Sequence, residues 1–157
     1  MSYLPPGDYL PHDAPMLLLE SVESVSEETA VCRVTVSDQG VLAPFLNAEG
    51  CLPGWYALEL MAQTVGVWSG WHRQQQGRSS IRLGMVLGAR ELVCAAGQFP
   101  ANILLTVSIK LLMQDERFGS FECAITADGC TLATGRVNTF KPTHEELTSL
   151  FNQGARA

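Results

Sequence analysis

Between Pro53 and His72 the only charged residue is Glu59, set in LPGWYALELMAQTVGVWSGW (residues 52–71), a segment with the composition of one long helix. At about 100° per residue, Glu59, Gln63, Gly66 and Gly70 fall on one narrow stripe of that helix. A carboxylate, an amide and two positions without side chains therefore line up. One reading is a thin solvated seam. The other is a groove in which something narrow and apolar lies against Gly66 and Gly70 while Glu59 reaches its reactive end. Burial among aromatic and aliphatic neighbours favours the protonated form of a carboxyl, which suits general acid and base work near neutrality. Spacing leaves both readings open.

The rest of the segment explains how such a carboxylate is held. Trp55, Tyr56, Leu58, Leu60, Met61, Val65, Val67, Trp68 and Trp71 are distributed nearly all the way round, so the helix is a core element. Pro53 and Gly54 suit the approach to its first turn, and the pattern carries it to about Gly77. Polar residues interrupt it too often for a membrane span. A content of 46% hydrophobic and 17% charged residues over 157 positions describes a single domain, with an N-terminal arm over 1–15 and a short helix and tail over 143–157. The net charge of −6 argues against a general nucleic-acid binder. The proline-rich start lacks a basic run followed by an apolar signal region, so the chain is expected in the cytoplasm, with no membrane partner. Cys32, Cys51, Cys94, Cys123 and Cys130 form no CxxC pair and no His/Cys metal spacing, which fits reduced core thiols and no metal.

Around the helix the pattern is that of strands. Residues 16–25 and 28–37 read as a hairpin turned at Ser26-Glu27-Glu28, and residues 38–52, with Gly40, Pro44 and Gly50, as the loop into the helix. Strand regions follow at 80–95, 101–113 and 117–140. In the middle one Ile103, Leu105, Val107, Ile109 and Leu111 alternate with Thr106, Ser108 and Lys110, so one face is buried against the helix. Asp128-Gly129 divides the last into a hairpin, and Thr143 with Glu146 forms a capping box for the C-terminal helix. The class is α+β: consecutive antiparallel strands around one helix, which leaves an edge or face for a second copy.

Two stretches carry a family resemblance. LPHDAPMLLLESV (10–22) resembles the LPH-x-x-P start of the 3-hydroxyacyl-[acyl-carrier-protein] dehydratases, and LPGWYALELMAQTVG (52–66) resembles their PG-x4-[ED]-x-M-x-Q helix. The resemblance, from about Tyr9 to Lys141, implies a hotdog fold, in which an antiparallel sheet wraps one long central helix. It also implies a site across a dimer interface, where a loop histidine of one subunit and a helix acid of the other remove water from a 3-hydroxyacyl thioester. By the same resemblance Glu59 is the acid, the Gly54 N–H holds the thioester carbonyl, and Gln63, Phe45 and Cys51 border the substrate, whose chain runs beside Gly66 and Gly70. The substrate rides on the phosphopantetheine of an acyl carrier protein, with no cofactor of the enzyme's own. Arg73, Arg78 and Arg82, with His72, form a candidate patch for that acidic carrier.

The chain departs from the family where the base should be. The family's Gly-His-Phe-Pro loop has no counterpart in APFLNAEGCLPG (residues 43–54), and counting back from Glu59 reaches Phe45, with Asn47, Glu49 and Cys51 nearby. Three readings follow: a heterodimer with a histidine-bearing dehydratase homologue, a hotdog thioesterase using Glu59 as base, or a non-catalytic carrier-binding subunit. The first is preferred over a homodimer because it keeps a use for Glu59. His12 reads as a packing residue of the arm, His72 as an exposed helix-end residue and His144 as part of a capping turn. Cys51 reads as a small filler, or as a nucleophile made acidic by the helix start.

Overall fold

A computed structural model describes residues 3–9, 17–76, 85–115 and 118–140 of the chain. The elements are β1 (Ser21–Val25), β2 (Thr29–Thr35), β3 (Leu52–Pro53), α1 (Tyr56–Gln75), β4 (Met85–Cys94), β5 (Gln98–Phe99), β6 (Leu104–Gln114), β7 (Phe118–Ala127) and β8 (Cys130–Phe140), with short 3-10 turns at Pro6–Asp8 and Ala43–Phe45. His12, Arg78, Arg82, His144 and the capping box at Thr143 lie outside the described residues.

Six strands form one antiparallel sheet in the order β1-β2-β6-β7-β8-β4, and α1 packs against all six. This is the hotdog arrangement that the resemblance implied. Ala30, Cys32 and Val34 of β2, Leu105, Val107 and Ile109 of β6, and Phe121, Cys123 and Ile125 of β7 are buried on the face turned to the helix. Ala57, Leu60, Met61, Thr64, Val65, Val67 and Trp68 meet them from α1. The two-residue alternation of β6 is thus the imprint of one dry face. At Asp128-Gly129 both residues have positive φ (50° and 78°), which gives the tight turn that lets Ala127 pair with Cys130.

The structure corrects the expected strand order. The strands are not laid down consecutively: the connection through α1 crosses the sheet, so β4 pairs with β8 on the far edge and β6 takes the place beside β2. A second, two-stranded sheet, β3 with β5, ties the approach to α1 to residues 98–99. Each of its strands has two residues, too few for a hydrophobic period to reveal.

The carboxy-terminal half of α1 is a clamp. Trp68 donates from Nε1 to the Glu27 carbonyl (3.2 Å) and packs edge-on against Phe121, with ring centroids 5.3 Å apart. His72 is half-buried rather than exposed, its Nε2 2.8 Å from the Ser26 carbonyl and its ring between Trp68 and Trp71. A carbonyl needs a donor, so Nε2 carries a proton. The two side chains satisfy carbonyls at the β1–β2 turn. On the same half of the helix, the Gln74 amide donates to the Asp8 carbonyl (2.8 Å), and the Tyr9 backbone lies directly against Gly70.

The cysteines divide by burial, with no disulfide among them. Burial pushes the Cys32 thiol up to about 12, opposed by a hydrogen bond with Thr64, and pushes Cys123 likewise to about 12. Cys51 and Cys94 are half-buried and Cys130 is exposed, so the core-thiol reading holds for two of the five. An unfolded thiol gives up its proton near 9.0, whereas these two folded thiols keep theirs. The unfolded state therefore binds fewer protons above that pH, and stability falls as pH rises from 9.0 towards 12. Urea midpoints measured through this window should fall, and the Cys32→Ala, Cys123→Ala double variant should flatten the decline. Thiol titration of the native protein should label Cys130 first and leave Cys32 and Cys123 unreacted until denaturant is added.

Candidate active site

Glu59 lies in the first turn of α1, where the positive end of the helix favours a negative side chain. It is half-buried, and one turn on the Gln63 side chain is buried, with 1% exposure. Gln63 donates from Nε2 to Glu59 Oε1 (3.0 Å), and its Oε1 accepts the Leu18 N–H (2.9 Å) from the segment leading into β1. The amide is thus a bridge between the carboxylate and a backbone donor 45 positions away. It is enclosed by the protein, which corrects its assignment as a substrate-binding group.

The stripe of four residues is one face of the helix but not one open groove. Gly66 is half-buried. Gly70 is buried because the Tyr9 backbone occupies the space a side chain would fill, so its assignment to the acyl chain's path is corrected: the occupant is this chain's own arm.

The helix start is built by backbone. Gly54 donates to the Gly97 carbonyl (2.9 Å) and Ala57 donates to the Gly54 carbonyl (3.0 Å). The Gly54 N–H is therefore engaged and does not hold a thioester carbonyl, a third correction to the site. Among the described residues no backbone carbonyl accepts from the N–H groups of Trp55 or Tyr56, two of the donors at this end.

Phe45, Tyr56 and Trp55 form a ladder of rings beside this helix end, with centroids 5.3 Å and 6.0 Å apart. Phe45 ends the 3-10 turn Ala43–Phe45. Trp55 is 74% exposed, whereas its sequence context placed it in the core. Neither periodicity nor composition could show this, because Trp55 precedes the first regular turn, where 3.6-residue spacing does not yet apply.

The loop residues near the missing histidine are occupied with structure. Asn47 accepts at Oδ1 from the N–H groups of Glu49 and Cys51 (3.0 Å each) and donates from Nδ2 to Gln98 (3.1 Å). Cys51 is half-buried and precedes β3, so it is not at the first turn of α1, which begins at Tyr56. The nucleophile reading loses its physical basis. His72 is thirteen residues beyond Glu59, about 20 Å along the axis at ~1.5 Å per residue, and cannot serve the same reacting centre. Of the arginine patch, Arg73 is described; its Nη2 is 3.5 Å from Ser69 Oγ. Among the described residues no group of His, Cys, Asp and Glu side chains is arranged to hold a metal, and no helix is long and apolar enough to cross a membrane.

Comparison with known proteins decides the family. The ApeP-like family model, described as ApeP dehydratase, matches residues 4–152. This chain belongs to the ApeP-like dehydratases. A chain of the dehydratase heterocomplex ApeI:P from Xenorhabdus doucetiae is 52% identical, with a TM-score of 0.90 over 96% of this chain and 99% of that one. The 3-hydroxyacyl-[acyl-carrier-protein] dehydratase FabZ of Acinetobacter baumannii is 28% identical over 130 residues, which cover 82% of this chain and 88% of that protein. The phenylacetic acid degradation protein PaaI of Thermus thermophilus, at 14% identity, shares the fold, with a TM-score of 0.59 over 78% of this chain and 92% of that one.

In this ApeP-like chain Gly54 is where backbone crowding is tightest at the site. A Cβ there would lie 2.6 Å from the Gly97 oxygen and 3.1 Å from Cys94 Sγ. Gly54→Ala should cost about 1–3 kcal/mol, the usual range for overpacking a rigid site. Urea unfolding checks this.

Proposed function

We propose that this chain is the acid-bearing subunit of a 3-hydroxyacyl-[acyl-carrier-protein] dehydratase of fatty-acid or polyene-type chain synthesis, completed by a histidine-bearing dehydratase homologue. The observation that carries the reading is Glu59 itself: a half-buried carboxylate in the first turn of α1, held by a buried amide, in a chain with no histidine between positions 13 and 71. Family membership supports the reaction class, and a relative of 52% identity found in a dehydratase heterocomplex supports the need for a partner.

The chemistry divides between the two subunits. The partner's histidine takes the proton from the carbon next to the thioester carbonyl, and the electron pair of that C–H bond becomes the new double bond. The C–O bond of the 3-hydroxyl breaks, and Glu59 gives the proton with which it leaves as water. Solvent returns the proton from histidine to Glu59. The thioester carbonyl is held at the N-terminus of α1 by the N–H groups of Trp55 and Tyr56, where backbone dipoles meet the charge that develops on oxygen. The acyl group arrives on the phosphopantetheine of a carrier protein, and Arg73 is positioned near the far end of the helix for contact with it.

The partner's place is the β4 edge. This ten-residue strand pairs on one side with β8, and Leu92 and Val93 are exposed on it, with 39% and 57% of their surface accessible. An edge of that length with apolar side chains is a template for another strand.

Assayed alone, the chain should not dehydrate a 3-hydroxyacyl-carrier substrate, and mixing with the histidine-bearing homologue should produce activity. Glu59→Gln in the mixture should reduce the rate at least about a hundredfold, the scale of a lost general acid. Undiminished activity of that variant would remove Glu59 from the reaction. Val93→Lys should weaken association with the homologue at least about tenfold, or ~1.4 kcal/mol, in calorimetry. The melting temperature of the isolated chain should stay unchanged.

A further inference from the structure

Trp55 stands on the surface of a molecule that covers its other indoles. It is 74% exposed, whereas Trp68 is buried and Trp71 half-buried. The exposed ring is nevertheless held: Tyr56 backs it with 6.0 Å between centroids, and Phe45 backs Tyr56 at 5.3 Å. Its backbone is fixed to the end of β4. The Gly54 N–H donates to the Gly97 carbonyl (2.9 Å), and Cys94 Sγ lies 3.1 Å from the place of a Cβ on residue 54. Trp55 and Val93 are each adjacent in sequence to one member of that Gly54–Cys94 contact. Val93 is 57% exposed, Ala95 and Ala96 are exposed beyond it, and no charged residue occurs between Glu91 and Lys110. An ordered aromatic ring beside an uncharged strand end has the composition of an interface centre, where aromatics are enriched and charges depleted.

We infer that the Trp55 indole is the anchor on which the histidine-bearing homologue is seated, so that one contact surface runs from the β4 edge to the amino-terminal end of α1. This inference rests on the homologue being the partner in the proposed reaction. Two observations choose it as the occupant. First, Trp55 already has helical φ and ψ (−65° and −17°), which places it on the Glu59 face one turn before the acid. A histidine brought to a substrate on Glu59 arrives at this end of the helix, and the segment that carries it passes the indole. Second, the ring is continuous with Val93 and the open side of β4. A second chain of the same fold covers a strand edge and the neighbouring ring together, whereas the narrow arm of a carrier covers only one of them. Because Tyr56 and Phe45 hold the indole before the partner arrives, little side-chain freedom is lost on binding. Seating the partner and completing the site are then one event.

The test follows each indole by fluorine NMR, with fluorotryptophan incorporated into this chain alone and the Trp55 resonance assigned by its loss in Trp55→Phe. In the isolated chain that resonance should show the shift of a solvated ring when light water is exchanged for heavy water. Saturating, unlabelled homologue should remove most of the solvent shift at Trp55 and leave the Trp68 resonance unmoved. Trp55→Ala, which keeps the backbone N–H, should weaken association at least about thirtyfold in calorimetry, the scale of an interface hot spot. The isolated variant should melt with the parent, and Trp55→Phe should recover most of the affinity. The inference is overturned if the Trp55 ring stays solvated in the saturated complex, if Trp55→Ala binds the homologue as the parent does, or if an acyl-carrier substrate without the homologue is what covers the ring. A solvent shift lost on concentrating this chain alone would assign the surface to a second copy and overturns it equally. Should the homologue not bind the parent at all, the proposed reaction and the inference fall together. If it binds, and Glu59→Gln is inactive while Trp55 stays solvated, only the inference falls.

Discussion

A single buried amide joins the acid to the frame of the molecule. Through Gln63 the Glu59 carboxylate is tied to the backbone ahead of β1, and through that segment to the sheet that wraps the helix. A half-buried carboxylate on a helix has several rotamers open to it, and ordering it costs side-chain entropy. Here the cost is met by a bond made in a dry place, where a lost partner is not replaced by water. The rest of the architecture follows from keeping that place dry: α1 is apolar on nearly every side, six strands pack on it, and the arm lies over Gly70.

That constraint divides the helix into two ends with different work. The amino-terminal end carries the acid, backbone donors without backbone carbonyl partners among the described residues, and the rings of Phe45, Tyr56 and Trp55. The carboxy-terminal end holds the fold: Trp68 and His72 secure the β1–β2 turn, and Gly70 and Gln74 secure the arm. The chain's one histidine on the helix is thus committed to structure, which leaves the acid without a histidine from the same helix. A relative of this ApeP-like chain is found in a dehydratase heterocomplex, and the β4 edge is the place proposed above for such a partner.

Much of the fold could be read from local pattern. The helix announced itself by apolar residues on every side, β6 by strict alternation from Ile103 to Leu111, and the β7–β8 hairpin by Asp128-Gly129. What escaped was set by contacts distant in sequence. The placing of β4 at the far edge depends on where the chain re-enters the sheet after α1. Gly54 is small because of Gly97, Gly70 because of Tyr9, and Gln63 is enclosed because Leu18 reaches it. In each case the residue type was noticed and its neighbour was not. The stripe of Glu59, Gln63, Gly66 and Gly70 accordingly looked like a ligand groove, whereas the fold fills part of it with its own backbone.

The claim at the centre is that one such chain supplies the acid and one homologue the base. Its most direct test is a single-turnover titration of a 3-hydroxyacyl-carrier substrate, with this chain held constant and the histidine-bearing homologue added in steps. The account predicts no dehydration at the start and a rise in rate that breaks sharply at one homologue per chain. Full activity before any homologue is added, or a rate that tracks the homologue alone whatever the amount of this chain, would contradict it.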